Sequence, residues 1–413
     1  MKVSQVIHSK LFGNIFNQFL LYGFSHILPF LLMPYLLSTI GVAKYGLINF
    51  AIAFSFYFQV INEWGFDLSN VRHVVKNRDN PSELSKIFMS ILTCKTILLC
   101  CSFLTYIFIV LIIPEFRKNE LLYVFAFLRL AGVIITPYWL FRSMEDMKFV
   151  TRISLIVKCI CIVPIFFIVK KQGDYLWVMI FFALESVMSG IVSMFIAQRR
   201  YKLSLCGVRL SDVYFYFKDS VPFFTSVFLT RIYQTSNTFV LGLVCGETIT
   251  GIYSAAEKLY NAYASLVSPL INHIFYPYFS RIKDFARINK MVILMLGVNV
   301  VVLALIFVTS PYLVPLFIKT ETDSILTYFN FFLLLLVFSV ANDMLGFPYL
   351  GVMGKIKEVK LSTIYASVFY ISGALIMVVS EDIDISKLIF LLIVTNSISL
   401  IYRLGIIRKN MGK

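Results

Sequence analysis

Apolar stretches of about 20 residues recur from one end of the chain to the other, separated by short polar segments. A helix rises about 1.5 Å per residue, so each stretch is long enough to cross a hydrocarbon core of about 30 Å. The pattern predicts twelve spans: 12–37, 45–66, 87–113, 121–141, 153–169, 175–197, 221–244, 251–276, 291–310, 325–345, 361–379 and a short one at 388–402. Helix is the expected state because lipid offers no partner to unpaired backbone amides. The expected fold class is an all-α integral membrane protein of about twelve transmembrane helices.

Composition agrees with the pattern. Of 413 residues, 59% are hydrophobic and 14% charged, which excludes an ordinary soluble globule. With the N-terminus placed inside, the inner segments hold 25 of the 37 Lys and Arg, the outer loops 7, and the spans 5. That asymmetry predicts both termini in the cytoplasm. It also explains the net charge of +15 through basic inner loops beside anionic lipid heads, so no nucleic-acid partner is implied. The first span is too long for a signal-peptide core and is expected to stay as a helix. None of the seven cysteines forms a CxxC pair. Cys94, Cys100, Cys101, Cys159 and Cys161 lie in spans and read as small apolar packing residues, with no metal or disulfide framework.

The longest inner segment, 198–220, divides the spans into two sets of six. The expected organisation is an N-terminal bundle over 1–203, a cytoplasmic linker over 204–220 and a C-terminal bundle over 221–413. A weak internal echo accompanies it: GVAKYGLINFA from Gly41 and GETITGIYSAA from Gly246, so that Gly41 and Gly46 align with Gly246 and Gly251. The preference of turns for glycine accounts for part of this. Two copies of six spans imply a pseudo-two-fold axis along the membrane normal, an arrangement used by alternating-access transporters.

Five cations interrupt the apolar runs: Lys95, Arg129, Lys158, Arg231 and Lys258. A charge at mid-membrane costs about 2.5–3.5 kcal/mol even on lenient insertion scales, so it faces a partner or a watery cavity. Lys95 and Lys158 lie near enough to a span end to snorkel; Arg129 and Arg231 lie deeper. All five are candidate substrate-binding residues of a cationic cavity. Glu257 and Glu185 are the deep acids, either balancing those charges or carrying a proton. Asn14, Gln18, Tyr22 and His26 follow at i+4 steps and form one polar stripe. Gln234 shares a face with Arg231, and Asn261 lies near Tyr253 and Glu257. Asn14, Gln18, His26, Gln234 and Asn261 are candidate cavity-lining groups. The same polar residues also glue membrane helices together by hydrogen bonds.

No Walker A sequence, HExxH, GxSxG or metal-spaced cluster is present, so neither nucleotide hydrolysis nor a cofactor is expected. The longest outer loop, 311–324, is too short to house the site of a glycan polymerase or ligase. A transporter, not an enzyme, is expected.

Three segments then resemble a known family: EWGFDLSNVRHVVKNRDNPSEL from Glu63, PYWLFRSMEDMKFVTRISLIVK from Pro137 and GIYSAAEKLYNAYASLVSPLINHIFYPYFSR from Gly251. They are similar to Wzx-type O-antigen flippases, in the polysaccharide-transporter branch of the superfamily that includes the multidrug and toxin extruders. The family often has a Gln-Gly pair where this chain has Arg142-Ser143. The resemblance implies two six-helix bundles around a central, often cationic cavity. It implies movement of undecaprenyl-diphosphate-linked oligosaccharide from the inner to the outer leaflet of the bacterial inner membrane. The pathway's polysaccharide polymerase and chain-length regulator would be partners alongside the bilayer. Arg and Lys would hold the diphosphate by charge-assisted hydrogen bonds, and Tyr253 and Tyr260 either stack on sugars or pack in the core. A drug or cation exporter would instead need acids to dominate its cavity.

Overall fold

A computed structural model describes residues 30–204, 207–282 and 284–411. Among them there are helices and turns and no strand. The long helices, in chain order, are α1 (Phe30–Thr39), α2 (Gly41–Glu63), α3 (Pro81–Ile112), α4 (Glu120–Ile135), α5 (Met147–Ile168), α6 (Tyr175–Arg200), α7 (Leu210–Val244), α8 (Glu247–Leu270), α9 (Phe285–Phe317), α10 (Thr322–Met344), α11 (Ile356–Val379) and α12 (Ile385–Met411). Nine segments among the described residues are long and apolar enough to cross a membrane: α2 to α6 and α9 to α12, with α4 and α10 extended by the short helices that follow them. In α7 the ten residues Thr235–Val244 form a shorter apolar stretch, and α8 carries Glu257 and Lys258 in its interior. The stripe Asn14, Gln18, Tyr22 and His26 lies outside the described residues.

Local chemistry sets the boundaries. Asn80 accepts from the backbone N–H groups of Ser82 (3.2 Å) and Glu83 (3.3 Å), and Pro81 occupies the first turn; together they start α3. Asp284 caps α9 in the same way through Ala286 and Arg287. One expectation is refined here and two are corrected. Span four stands as one apolar segment, Glu120–Ser143, but it is broken inside: α4 stops at Ile135 and a short helix, Tyr138–Ser143, follows Pro137, because proline cannot donate to the preceding turn. Span nine does not end at 310, since α9 runs through Pro311 and Pro315 to Phe317 and leaves only 318–321 before α10. Span twelve is not short; α12 has 27 residues.

Contact density divides the described chain into two compact units, 50–235 and 30–49 with 236–411. In the first, Phe66, Phe88, Trp139, Leu140 and Phe141 form a buried cluster. Trp64 stacks between Phe217 and Phe224 at 4.5 and 4.2 Å. In the same unit Arg200 Nε (2.8 Å) and Tyr201 OH (3.0 Å) both donate to Asp146. The hydrogen bond from Arg200 holds the Asp146 carboxyl below the usual carboxylate range. In the second unit Ile271, Phe279, Met344, Tyr349 and Leu350 form the core, around two π-helical segments, Ile271–Phe275 and Leu345–Gly351.

The internal echo has a stereochemical counterpart inside that second unit. Gly41 and Gly246 both have left-handed backbones, with φ of 80° and 85°, a conformation that costs glycine nothing. Five residues on, Gly46 and Gly251 lie where α2 and α8 touch. A Cβ on Gly46 would sit 1.9 Å from the Glu247 carbonyl oxygen, and one on Gly251 2.2 Å from that of Val42. Lys44 and Glu247 form an ion pair at 3.7 Å beside this crossing.

Candidate functional site

Within the first unit, α4, α5 and α6 bring three charges together. Gly132 of α4 allows the approach to α6: a Cβ there would lie 2.4 Å from the Ser186 carbonyl carbon, and small residues let membrane helices pack at backbone distance. Ser154 of α5 and Ser189 of α6 are bonded at 3.0 Å. One turn onward along α5 is Lys158, and one turn back along α6 is Glu185. The serine bond therefore sets the register that opposes these two charges. Arg129 lies one turn before Gly132. All three side chains are half-buried, and Glu185 interacts electrostatically with both Arg129 and Lys158. Each is ten to twelve residues into its helix, about 15 Å along the axis. One acid between two cations leaves a net positive charge when all are ionised.

Within the second unit, a buried hydrogen-bond chain ends on Glu257. Tyr370 OH donates to Asn237 Oδ1. Asn237 Nδ2 donates to Tyr253 OH at 2.9 Å, and Tyr253 OH donates to Glu257 Oε1 at 3.1 Å. Thr238 Oγ1 approaches the other carboxylate oxygen at 3.5 Å. The direction is dictated by chemistry. An ionised carboxylate only accepts, so the tyrosine must give it its single proton and must itself accept from the amide. Lys258, the next residue, acts on Glu257 electrostatically. Tyr253 is fully buried and Tyr260 packs on Phe332 at 5.2 Å, so of the two readings for these tyrosines, core packing holds for Tyr253.

The remaining sequence candidates are dispersed. Lys95 is buried in α3. Arg231 of α7 and Asn261 of α8 are exposed; among the described residues no acid forms an ion pair with Arg231. The side chain of Gln234 lies outside the described residues. Arg142 is exposed and Ser143 buried. Among the described residues no group of three or more His, Cys, Asp or Glu side chains is spaced to hold a metal.

Sequence reasoning missed Arg403, which it left in the terminal inner segment. The side chain is buried in α12. It donates from Nε to Ser362 (2.9 Å), from Nη2 to Thr363 (3.3 Å) and from Nη1 to the Asn342 carbonyl. Its target adjoins the kink where Gly346 leaves helical geometry with ψ −118°. The signal was the apolar run resuming at 404–407 after the arginine. Asn237 and Tyr370 were missed because they lie 133 residues apart.

Comparison with known proteins completes the picture. Two relatives carry the name "Putative O-antigen transporter". One, from Escherichia coli (strain K12), is 26% identical over 283 residues, covering 68% of each chain. The other, from Shigella dysenteriae, is 24% identical, covering 67% of this chain and 69% of its own. Among solved structures, the lipid II flippase MurJ in an inward closed conformation superposes with a TM-score of 0.72 at 17% identity. That match covers 93% of this chain and 86% of MurJ. An inward-facing multidrug resistance MATE family transporter of the MOP superfamily gives 0.64 at 14%, covering 92% and 94%. The fold is thus that of MOP-superfamily transporters, and the chain is a multi-pass membrane protein. A family model described as polysaccharide biosynthesis protein matches residues 11–283, and the chain belongs to that family.

Proposed function

We propose that this protein moves a diphosphate-linked lipid oligosaccharide, an undecaprenyl-linked O-antigen unit, from the cytoplasmic to the periplasmic leaflet of the bacterial inner membrane. The observation that carries the reading is the Arg129–Lys158–Glu185 cluster, a net positive site half-way along three helices. A diphosphate is anionic and takes charge-assisted hydrogen bonds from guanidinium and ammonium groups; a drug cation would be repelled there. The relatives' names and the MurJ-like fold support the same cargo class. Both termini lie in the cytoplasm on this reading. Two six-helix bundles, 1–203 and 221–413, alternate access about the 204–220 linker, and the partners are the pathway's polymerase and chain-length regulator. Arg231, exposed on α7, is a second phosphate contact, with Lys95 and Lys258 adding to the field and Gln234 and Asn261 to the polar lining.

Transport is coupled to an ion gradient through Glu257. Glu185 sits with two cations and balances charge, whereas Glu257 ends a hydrogen-bond chain beside a single lysine. The test is complementation of a strain whose own O-antigen flippase is deleted, read as surface polysaccharide with protein level controlled. The native chain restores the polymer, Arg129→Ala loses at least tenfold, and Arg129→Lys recovers part. Full polymer from the Arg129→Ala/Arg231→Ala double variant refutes the phosphate-binding reading.

A further inference from the structure

The last two turns of α9 are built to leave space. Pro311 and Pro315 both lie inside the helix. Each deprives the carbonyl four residues earlier of its usual N–H partner. For Pro311 that carbonyl belongs to Phe307, and Ser310 Oγ supplies the missing donor at 3.0 Å. Thr309 Oγ1 likewise turns onto the Leu305 carbonyl at 2.8 Å. The two hydroxyls on this face are thereby consumed by their own helix and present only carbon outward.

Beside them lies a cavity of about 200 Å³ within the second unit. Its walls come from α1 (Met33, Pro34), α8 (Leu259), α9 (Leu313, Phe317) and α10 (Phe329). None of these six side chains carries a polar atom. A cavity of this character does not hold water; one of about 150 Å³ lined by Leu, Ile and Phe stays dry and accepts benzene. Its mouth is defined by exposure: Leu313 and Phe317 line it and are 51% and 53% exposed. They continue an apolar surface that runs the length of α9 through Ile293, Leu294, Val301 and Leu305. On a helix long and apolar enough to cross a membrane, such a surface faces the hydrocarbon of the bilayer.

We infer that this cavity is a binding site for the acyl-chain end of a phospholipid, drawn from the leaflet that holds the turn between α9 and α10. That is the outer leaflet in the orientation proposed above; the site itself does not depend on the transport reading. Phospholipid is the assigned source because occupancy follows concentration, and bilayer phospholipid outnumbers any isoprenoid carrier. The bound chain wedges the proline-containing end of α9 against α1, α8 and α10.

The experiment uses the full chain in nanodiscs of phosphatidylethanolamine and phosphatidylglycerol, doped with phosphatidylethanolamine bearing a diazirine near the acyl terminus. After irradiation, adducts are mapped by peptide mass spectrometry. Labelling around 313–317 should exceed that around 293–294, on the same exposed helix, by at least threefold. Ser310→Trp, which fills the cavity, should abolish the excess and leave 293–294 unchanged. Thr309→Phe serves as the second filling variant should the first fail to fold. Equal labelling of the two regions, or an excess that survives filling, overturns the site. Displacement of the label by unlabelled polyprenyl phosphate at a few mole per cent overturns the assigned source in favour of an isoprenoid chain. Failure of surface-polysaccharide complementation would leave all these outcomes unaffected.

Discussion

At the scale of residues, the charges inside this protein are organised and not scattered. Glu185 is flanked by two cations in one unit, and Glu257 is fed by a one-directional chain of donors in the other. The second arrangement has a definite consequence. If Glu257 takes a proton, the carboxylic acid must donate somewhere, and Tyr253 can reverse only if the Asn237 amide turns over against Tyr370. Protonation therefore disturbs contacts among α7, α8 and α11 together, which is what a coupling residue has to do. Glu257→Gln keeps the shape and fixes the neutral state. In inverted vesicles with a fluorescent lipid-linked oligosaccharide, this variant should lose the acceleration given by an imposed proton gradient and keep the gradient-independent rate within a few-fold. Full gradient-dependent transport by Glu257→Gln would remove Glu257 from coupling. The acid itself was legible in the sequence from its depth in a long helix. Its partners were not, because contact between positions such as 237 and 370 is a property of packing that periodicity does not encode.

At the scale of elements, glycine and proline decide where helices touch and where they part. The turns before α2 and α8 repeat one another as stereochemistry: a left-handed glycine, then a glycine at the crossing. Turn preference alone explains Gly41 and Gly246, but not Gly46 and Gly251, whose missing Cβ atoms are required by opposing backbone. Gly46→Ala should therefore destabilise by about 1–3 kcal/mol, the usual cost of overpacking, and lower the midpoint of thermal unfolding in detergent by several degrees. Gly251→Ala should do the same, and the double variant should fall short of the sum, since both open one contact. An additive pair, or no shift, would separate the two glycines energetically. Proline acts oppositely. Pro137 ends a helix that the hydropathy pattern runs straight through, whereas Pro311 and Pro315 do not end theirs, because Ser310 repairs one freed carbonyl within the turn. Sequence alone does not separate these outcomes. Arg403 shows the same limit from the other side: it read as a charge of the terminal inner segment, yet it bridges α10, α11 and α12 at a kink.

At the scale of the whole molecule, the hydropathy pattern located eleven of its twelve segments on described helices, with ends displaced by up to eleven residues, as at the start of α7. The first lies mostly outside the described residues. Orientation rests on the charge asymmetry, and the observed helix ends sharpen its test. The turn between α9 and α10 shrinks to 318–321 and holds Lys319, while the segment between α10 and α11 holds Lys355 beside Gly354, whose backbone is left-handed at φ 75°. These two positions are separated by one helix of spanning length and must lie on opposite sides. In a cysteine-free background, cysteine at 319 should react with a membrane-impermeant maleimide in spheroplasts, and cysteine at 355 only after permeabilisation. A fluorescent protein fused after residue 413 should mature, as it does only on the cytoplasmic side. With 25 of 37 basic residues on the predicted inner side, and about 1 kcal/mol gained per basic group near an anionic leaflet, the opposite orientation is strongly disfavoured. Reactivity of 355 and not 319 in spheroplasts would invert the topology. It would also reverse the direction of transport inferred from it, while leaving the helix packing and the Arg129–Lys158–Glu185 site intact.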